Sequence, residues 1–147
     1  MKSVKNIKNQ NGPTISKERS NAAPIRFSFQ YFTDKKDYTF HVLKTREQAE
    51  YALDFMDKLR EWSKLTMLDL MMRDKRTGIE SIPVKELSES LQNHMKECPI
   101  ISEDSKIFVL RFNQQKARML CKPDLQHSFI LHVLAFDLNF TAYNHGN

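Results

Sequence analysis

The stretch KIFVLRFNQQKARMLCKPDLQHSFILHVLAFDL, Lys106 to Leu138, decides the fold. It divides into three apolar runs separated by two short polar connections. KIFVLRF (Lys106 to Phe112) reads as a strand, NQQK as a tight turn, and ARMLCK (Ala117 to Lys122) as the returning strand. PDLQHS then leads into FILHVLAFDL (Phe129 to Leu138), the longest and most apolar run. Short polar connections join antiparallel neighbours. A nearly continuous apolar run is the pattern of a strand covered on both faces, so the last run is expected at the sheet's centre.

Working back toward the start, VKELSESLQNHMKE (Val84 to Glu97) spaces Val84, Leu87, Leu91 and either His94 or Met95 as a helix does, and Pro99 ends it. RDKRTG (Arg73 to Gly78) breaks the pattern as a basic loop. Thr66 and Asp69 form a capping pair for a short helix, MLDLMMRD, in which Leu68 and Met71 or Met72 are expected to face the core. A longer helix is expected from Thr45, with Gln48 in the capping-box position, to about Lys64. Its apolar stripe is Ala49, Ala52, Leu53, Met56, Leu59 and Trp62, widened by Tyr51 and Phe55. IRFSFQYF (Ile25 to Phe32) alternates with period 2, and YTFHVL (Tyr38 to Leu43) follows the polar TDKKD, which together predict a β-hairpin. The expectation is an α+β domain over 25–147, with chain order ββ-ααα-βββ. Its antiparallel sheet has about five strands, and the helices lie mainly on one face.

Residues 1–24 differ in composition. They are rich in Lys, Asn, Ser and Gln without apolar periodicity, and are expected to be a flexible arm. Lys2, Lys5, Lys8, Lys17, Arg19 and Arg26 face Glu18 alone in the first 26 residues, so the whole net charge of +5 resides there. Such a segment suits nucleic acid phosphates or an acidic partner. No run reaches the roughly 20 apolar residues of a membrane helix, and Met1 to Gly12 lacks the apolar core of a secretory leader. Three glycines argue against a phosphate-binding glycine loop. Cys98 and Cys121 stand apart and outside any CxxC pair, which points to reduced thiols in a cytoplasmic protein. His94 and Cys98 share a helical spacing of four, but without a second pair no metal site is expected, and no cofactor either.

Chemistry is expected from the last three strands. Arg111, Arg118 and His132 can reach one face from neighbouring strands, which would give a cation for phosphate and a group for proton transfer. Asp137 either shapes the strand exit or pairs with Arg118 or a histidine and orients it. In a regular strand His132 and Asp137 fall on opposite faces, so a site using Asp137 must recruit Arg111 or Arg118, or His145 folding back. Lys116, Lys122, Arg73, Lys75 and Arg76 are the candidate nucleic-acid contacts.

The stretch from Ala117 to Phe140 resembles the end of small uncharacterised bacterial proteins. In these, an Arg in one strand precedes an aromatic strand closing on Asp-Pro-Asn-His and a Tyr. Arg118, Phe129, Asp137, Asn139 and Tyr143 match, whereas Leu138 replaces the Pro and Phe140 the His, so a histidine function would have to come from His145. Size, charge and layout are also similar to small ribonuclease toxins of toxin–antitoxin modules. The resemblance implies a fold more than an activity. The expectation of an RNA-acting protein that works without a metal, with an RNA or antitoxin-like partner, rests on the basic segment and on the Arg, Lys and His of the last three strands. The alternatives are a protein-interaction module using Met67, Met71 and Met72, or a nucleic-acid binder without catalysis.

Overall fold

The computed structural model describes residues 22–145. Most of the basic arm lies outside the described residues. The strands are β1 (Arg26–Ser28), β2 (Glu80–Pro83), β3 (Lys106–Phe112), β4 (Ala117–Pro123) and β5 (Ile130–Asp137). The helices are α1 (Thr45–Trp62), α2 (Met67–Met71) and α3 (Glu89–Lys96). The domain is α+β, with an open five-stranded sheet in the order β1-β5-β4-β3-β2.

Three expectations about this architecture are corrected. The sheet is mixed, because β1 runs parallel to β5. The expected opening hairpin is absent: only Arg26–Ser28 is strand, and Tyr38 to Leu43 is occupied by 3-10 turns at Lys36–Tyr38 and Phe40–Val42. The aromatic residues that predicted strand instead fill the core from these turns, which packing rewards whatever the backbone. The second strand, β2, comes from ESIP, a segment too short and too polar to show a period, and it adds antiparallel to β3. The chain order is therefore one strand, two helices, one strand, one helix and three strands.

The helices cover both faces of the sheet rather than mainly one. Tyr51, Phe55 and Trp62 of α1 and Met67 and Leu70 of α2 pack with Leu110, Phe112, Met119 and Phe136. On the opposite face, Leu91 and Met95 of α3 pack with Ile107, Val109, Leu120 and Leu134. The buried stripe of α1 is rotated from the expected one, leaving Leu53 and Met56 exposed, because three aromatic rings bury more area than Ala and Met. In α2 the capping box of Thr66 and Asp69 forms as expected, but Leu68, Met71 and Met72 point to solvent. Five residues of α2 are too few to reveal a period. The third helix starts later than expected. Val84–Glu86 is a 3-10 turn, and Ser88 caps α3 by accepting from the Leu91 N–H.

The feature that positions the site is an irregularity in β5. Leu120 faces Ala135, but its neighbour Cys121 faces Val133, so Leu134 is an extra residue. A bulge of this kind reverses the side-chain alternation beyond it. Leu131 and Val133 lie in the α1 core, and so do Phe136 and Leu138, while Leu134 and Ala135 lie in the α3 core. His132 and Asp137 are thereby placed on the same face, correcting the expectation of opposite faces. The bulge carbonyl, Leu134 O, accepts from Thr33 N–H at 2.9 Å, so no buried polar group is left over there.

Candidate active site

Arg111 on β3 lies opposite Arg118 on β4, and Arg118 lies opposite Asp137 on β5. The three form one row across three strands on the α3 face. Arginine is seldom buried without partners, yet Arg118 is 7% exposed. Its anchor is the β3–β4 turn. Asn113, Gln114 and Gln115 all take positive φ (50°, 55° and 67°), a costly conformation for non-glycine residues. The turn is held by α1: Asn113 N–H donates to Asp54, and its side chain donates to Glu50 at 2.9 Å. In return Gln115 offers two acceptors. Its carbonyl takes Arg118 Nη1 at 2.6 Å and its Oε1 takes Arg111 Nη1 at 2.9 Å. Arg111 Nη2 also pairs with Glu80 of β2 at 3.3 Å. The Nε of each arginine remains buried without a hydrogen-bond partner.

Asp137 is wholly buried. Its Oδ1 accepts from Thr141 N–H at 2.9 Å, which fixes the strand exit, and its Oδ2 meets His145 Nε2 at 3.0 Å. Both roles foreseen for this carboxylate, turn-shaping and histidine-pairing, are thus filled by its two oxygens. His145 arrives because the preceding residues are pinned: Ser88 N–H donates to Ala142 O at 2.7 Å, and Leu87 bridges Tyr143. The Tyr143 ring stacks on His145 at 4.0 Å and 29°. Burial raises the Tyr143 phenol above its ordinary value, and the Glu80 carboxylate adds to this while Arg118 opposes it.

Lys75, Glu80, Arg111, Arg118, Phe140, Tyr143 and His145 line a half-open cleft of about 630 Å³, which the buried Asp137 reaches through its bond to His145. Of the expected site residues, Arg111, Arg118 and Asp137 come together here, joined by Lys75 from the basic loop. His132 does not join them. It faces Lys122, four residues along β4 from Arg118, or about 13 Å at the rise of a strand. His132 Nε2 meets Asp124 Oδ1 at 2.8 Å and its ring packs on Tyr31. Lys122 is half-buried, and burial lowers its ammonium below the ordinary value. Arg73, Arg76 and Lys116 are exposed outside the cleft, with Arg76 beside Asp74. His94 binds Tyr31 O at 2.8 Å, and Cys98 Sγ lies 3.9 Å from His94. Cys98 and Cys121 are buried free thiols, each raised by desolvation. Among the described residues no group of three or more His, Cys, Asp or Glu could hold a metal ion, and no helix is long and apolar enough to cross a membrane.

The His132–Asp124 pair has a measurable consequence. The hydrogen bond from His132 holds the Asp124 carboxyl below its ordinary 3.8; burial opposes this, and Gln126 and His127 N–H groups add to it. A lowered folded value contributes stability above the ordinary value, and this is lost as pH falls through the folded one. The stability gap between the natural chain and Asp124→Asn should therefore shrink as pH falls from about 5 through 3.8. Urea unfolding midpoints measured over that range check it, and a gap that grows toward acid would contradict it.

Sequence reading does not single out Glu80 or Gln115, and reaches Tyr143 and Phe140 only through a resemblance. Glu80 and Gln115 carry no motif, and their role depends on which strands become neighbours. Comparison with protein-family models, with characterised proteins and with solved structures finds no match to this chain.

Proposed function

We propose that the chain cleaves RNA at this cleft without a metal. The observation that carries the reading is the convergence of the His145–Asp137 pair with two arginines whose Nε donors are buried and unpartnered. Unspent donors beside a half-open cleft suit an anion, and arginine geometry suits phosphate. Asp137 Oδ2 occupies one nitrogen of His145 and so orients the ring, leaving Nδ1 for proton transfer.

In the proposed reaction Nδ1 of His145 takes the proton of a ribose 2′-hydroxyl. The 2′-oxygen attacks phosphorus and the P–O5′ bond breaks. Arg118 and Arg111 stabilise the charge on the pentavalent phosphate. The Tyr143 phenol, kept protonated by its burial, gives its proton to the departing 5′-oxygen. The products are a 2′,3′-cyclic phosphate and a 5′-hydroxyl. Lys75 extends the cationic rim.

The test is incubation of the purified chain with end-labelled RNA, free and ribosome-bound, in the presence of EDTA. Fragments ending in a cyclic phosphate are expected, and their loss in Arg118→Ala. RNA left intact in both settings would overturn the reading. That outcome would favour a second one, a protein-interaction module, for which the exposed Leu68 and Met71 on α2 and Met72 just after it speak.

A further inference from the structure

Phe140 occupies a position that folding alone does not explain. It has φ 57°, a region where a bulky side chain is strained, and the residue is 47% exposed. Asn or Gly would suit an exposed left-handed turn better. The backbone there is set by its neighbours: Leu138 is buried in one core, Ala142 in the other, and Thr141 N–H is bonded to Asp137. Between these anchors the Phe140 ring is held at the lip of the cleft. The Arg118 guanidinium lies 4.9 Å from its centroid, and the His145 ring meets it edge-on at 5.0 Å and 89°. An aromatic surface thus sits within one nucleotide's reach of both the proposed phosphate-binding arginine and the proposed base.

We infer that Phe140 is a stacking platform for an unpaired nucleobase next to the scissile phosphate, so that the substrate is single-stranded RNA. The inference rests on the phosphodiester reading above. Stacking on an aromatic ring needs a base whose face is free, which a duplex does not offer, and it tolerates any base because each has a π-face. The phosphate is held by Arg118, whose guanidinium already contacts the ring, so base and phosphate of one nucleotide are engaged side by side. Arg118 and Phe140 act as one unit: the ring shields the guanidinium from water on one side and presents its exposed surface to the base.

The experiment measures dissociation constants of the full chain for three fluorescent oligomers of equal length at one salt concentration. They are single-stranded oligo(A), its perfect duplex with oligo(U), and an abasic ribose-phosphate oligomer. The natural chain should bind oligo(A) roughly ten- to hundredfold more tightly than the abasic oligomer, the range that stacking of one base provides. Phe140→Ala should lose that advantage, and Phe140→Trp should keep it, with circular dichroism confirming that both fold. Equal binding of oligo(A) and the abasic oligomer by the natural chain would overturn the platform while leaving the phosphate site standing. So would tightest binding to the duplex, or an unchanged advantage in Phe140→Ala. Failure to bind any of the three would remove the RNA reading, and the platform with it.

Discussion

His145→Gln should lower RNA cleavage by about 10²- to 10⁴-fold, the usual contribution of a positioned general base, with little change in the unfolding midpoint. Glutamine can still donate to Asp137 Oδ2 but cannot take a proton at neutral pH. His145→Ala should lose the same activity and also stability, because Asp137 is wholly buried and an unsatisfied buried acceptor costs about 1–3 kcal/mol. His132→Gln is the informative contrast. That ring is bonded to Asp124 and packed on Tyr31, away from the arginine row. Cleavage by His132→Gln should stay within a few-fold of the natural chain while its unfolding midpoint falls. Single-turnover cleavage rates paired with urea unfolding read both quantities. Full activity in His145→Gln, or a collapse confined to His132→Gln, would move the chemistry to the other end of β5.

The second large effect is expected at Phe136, on the opposite face. Its ring stacks on Phe40 at 4.5 Å, meets Phe55 at 4.8 Å and Phe32 at 5.0 Å, and approaches Phe112 at 5.8 Å. Phe136→Ala should cost about 3–5 kcal/mol, a large share of the 5–15 kcal/mol that holds a typical domain together. The size alone would not locate the ring, since any buried phenylalanine is expensive to remove. A double-mutant cycle does. Phe136→Ala and Phe55→Leu should show a coupling of roughly 0.5–1.5 kcal/mol, the value of an aromatic pair beyond its buried area. A coupling near zero would place Phe136 on the α3 face, as a strand without the bulge would have it. The midpoint and slope of urea unfolding for the four chains provide the measurement.

The candidate site was only partly legible. Arg111, Arg118 and Asp137 stand out because charged residues inside apolar strands are costly and therefore few. The placement of Arg111 opposite Arg118 follows from simple counting along β3 and β4, where a four-residue polar turn sets the register, whereas that of Asp137 depends on the bulge in β5. His132 stands out for the same reason and is nonetheless elsewhere, because regular alternation fails at one residue of β5. His145 shows no signal of its own beyond being a histidine near Asp137. What brings it back is a pair of backbone contacts from Leu87 and Ser88, two residues whose sequence gives no hint of them.

Local chemistry is what the sequence by itself determined. The three strands from Lys106 to Asp137, the Thr66 capping box and the presence of a helix over Thr45–Trp62 are properties of short windows, written by period, caps and polar turns. Tertiary structure alone decided everything that depends on competition between distant surfaces. It put β1 beside β5 in parallel and turned the second half of the expected hairpin into 3-10 turns. It also rotated α1 onto its aromatic side. The bulge at Leu134 has the same origin. One extra residue lets Leu131 and Val133 enter the α1 core and Phe136 and Leu138 enter it too, while Leu134 and Ala135 fill the other. Burying both sets leaves Asp137, rather than an apolar side chain, facing Arg118.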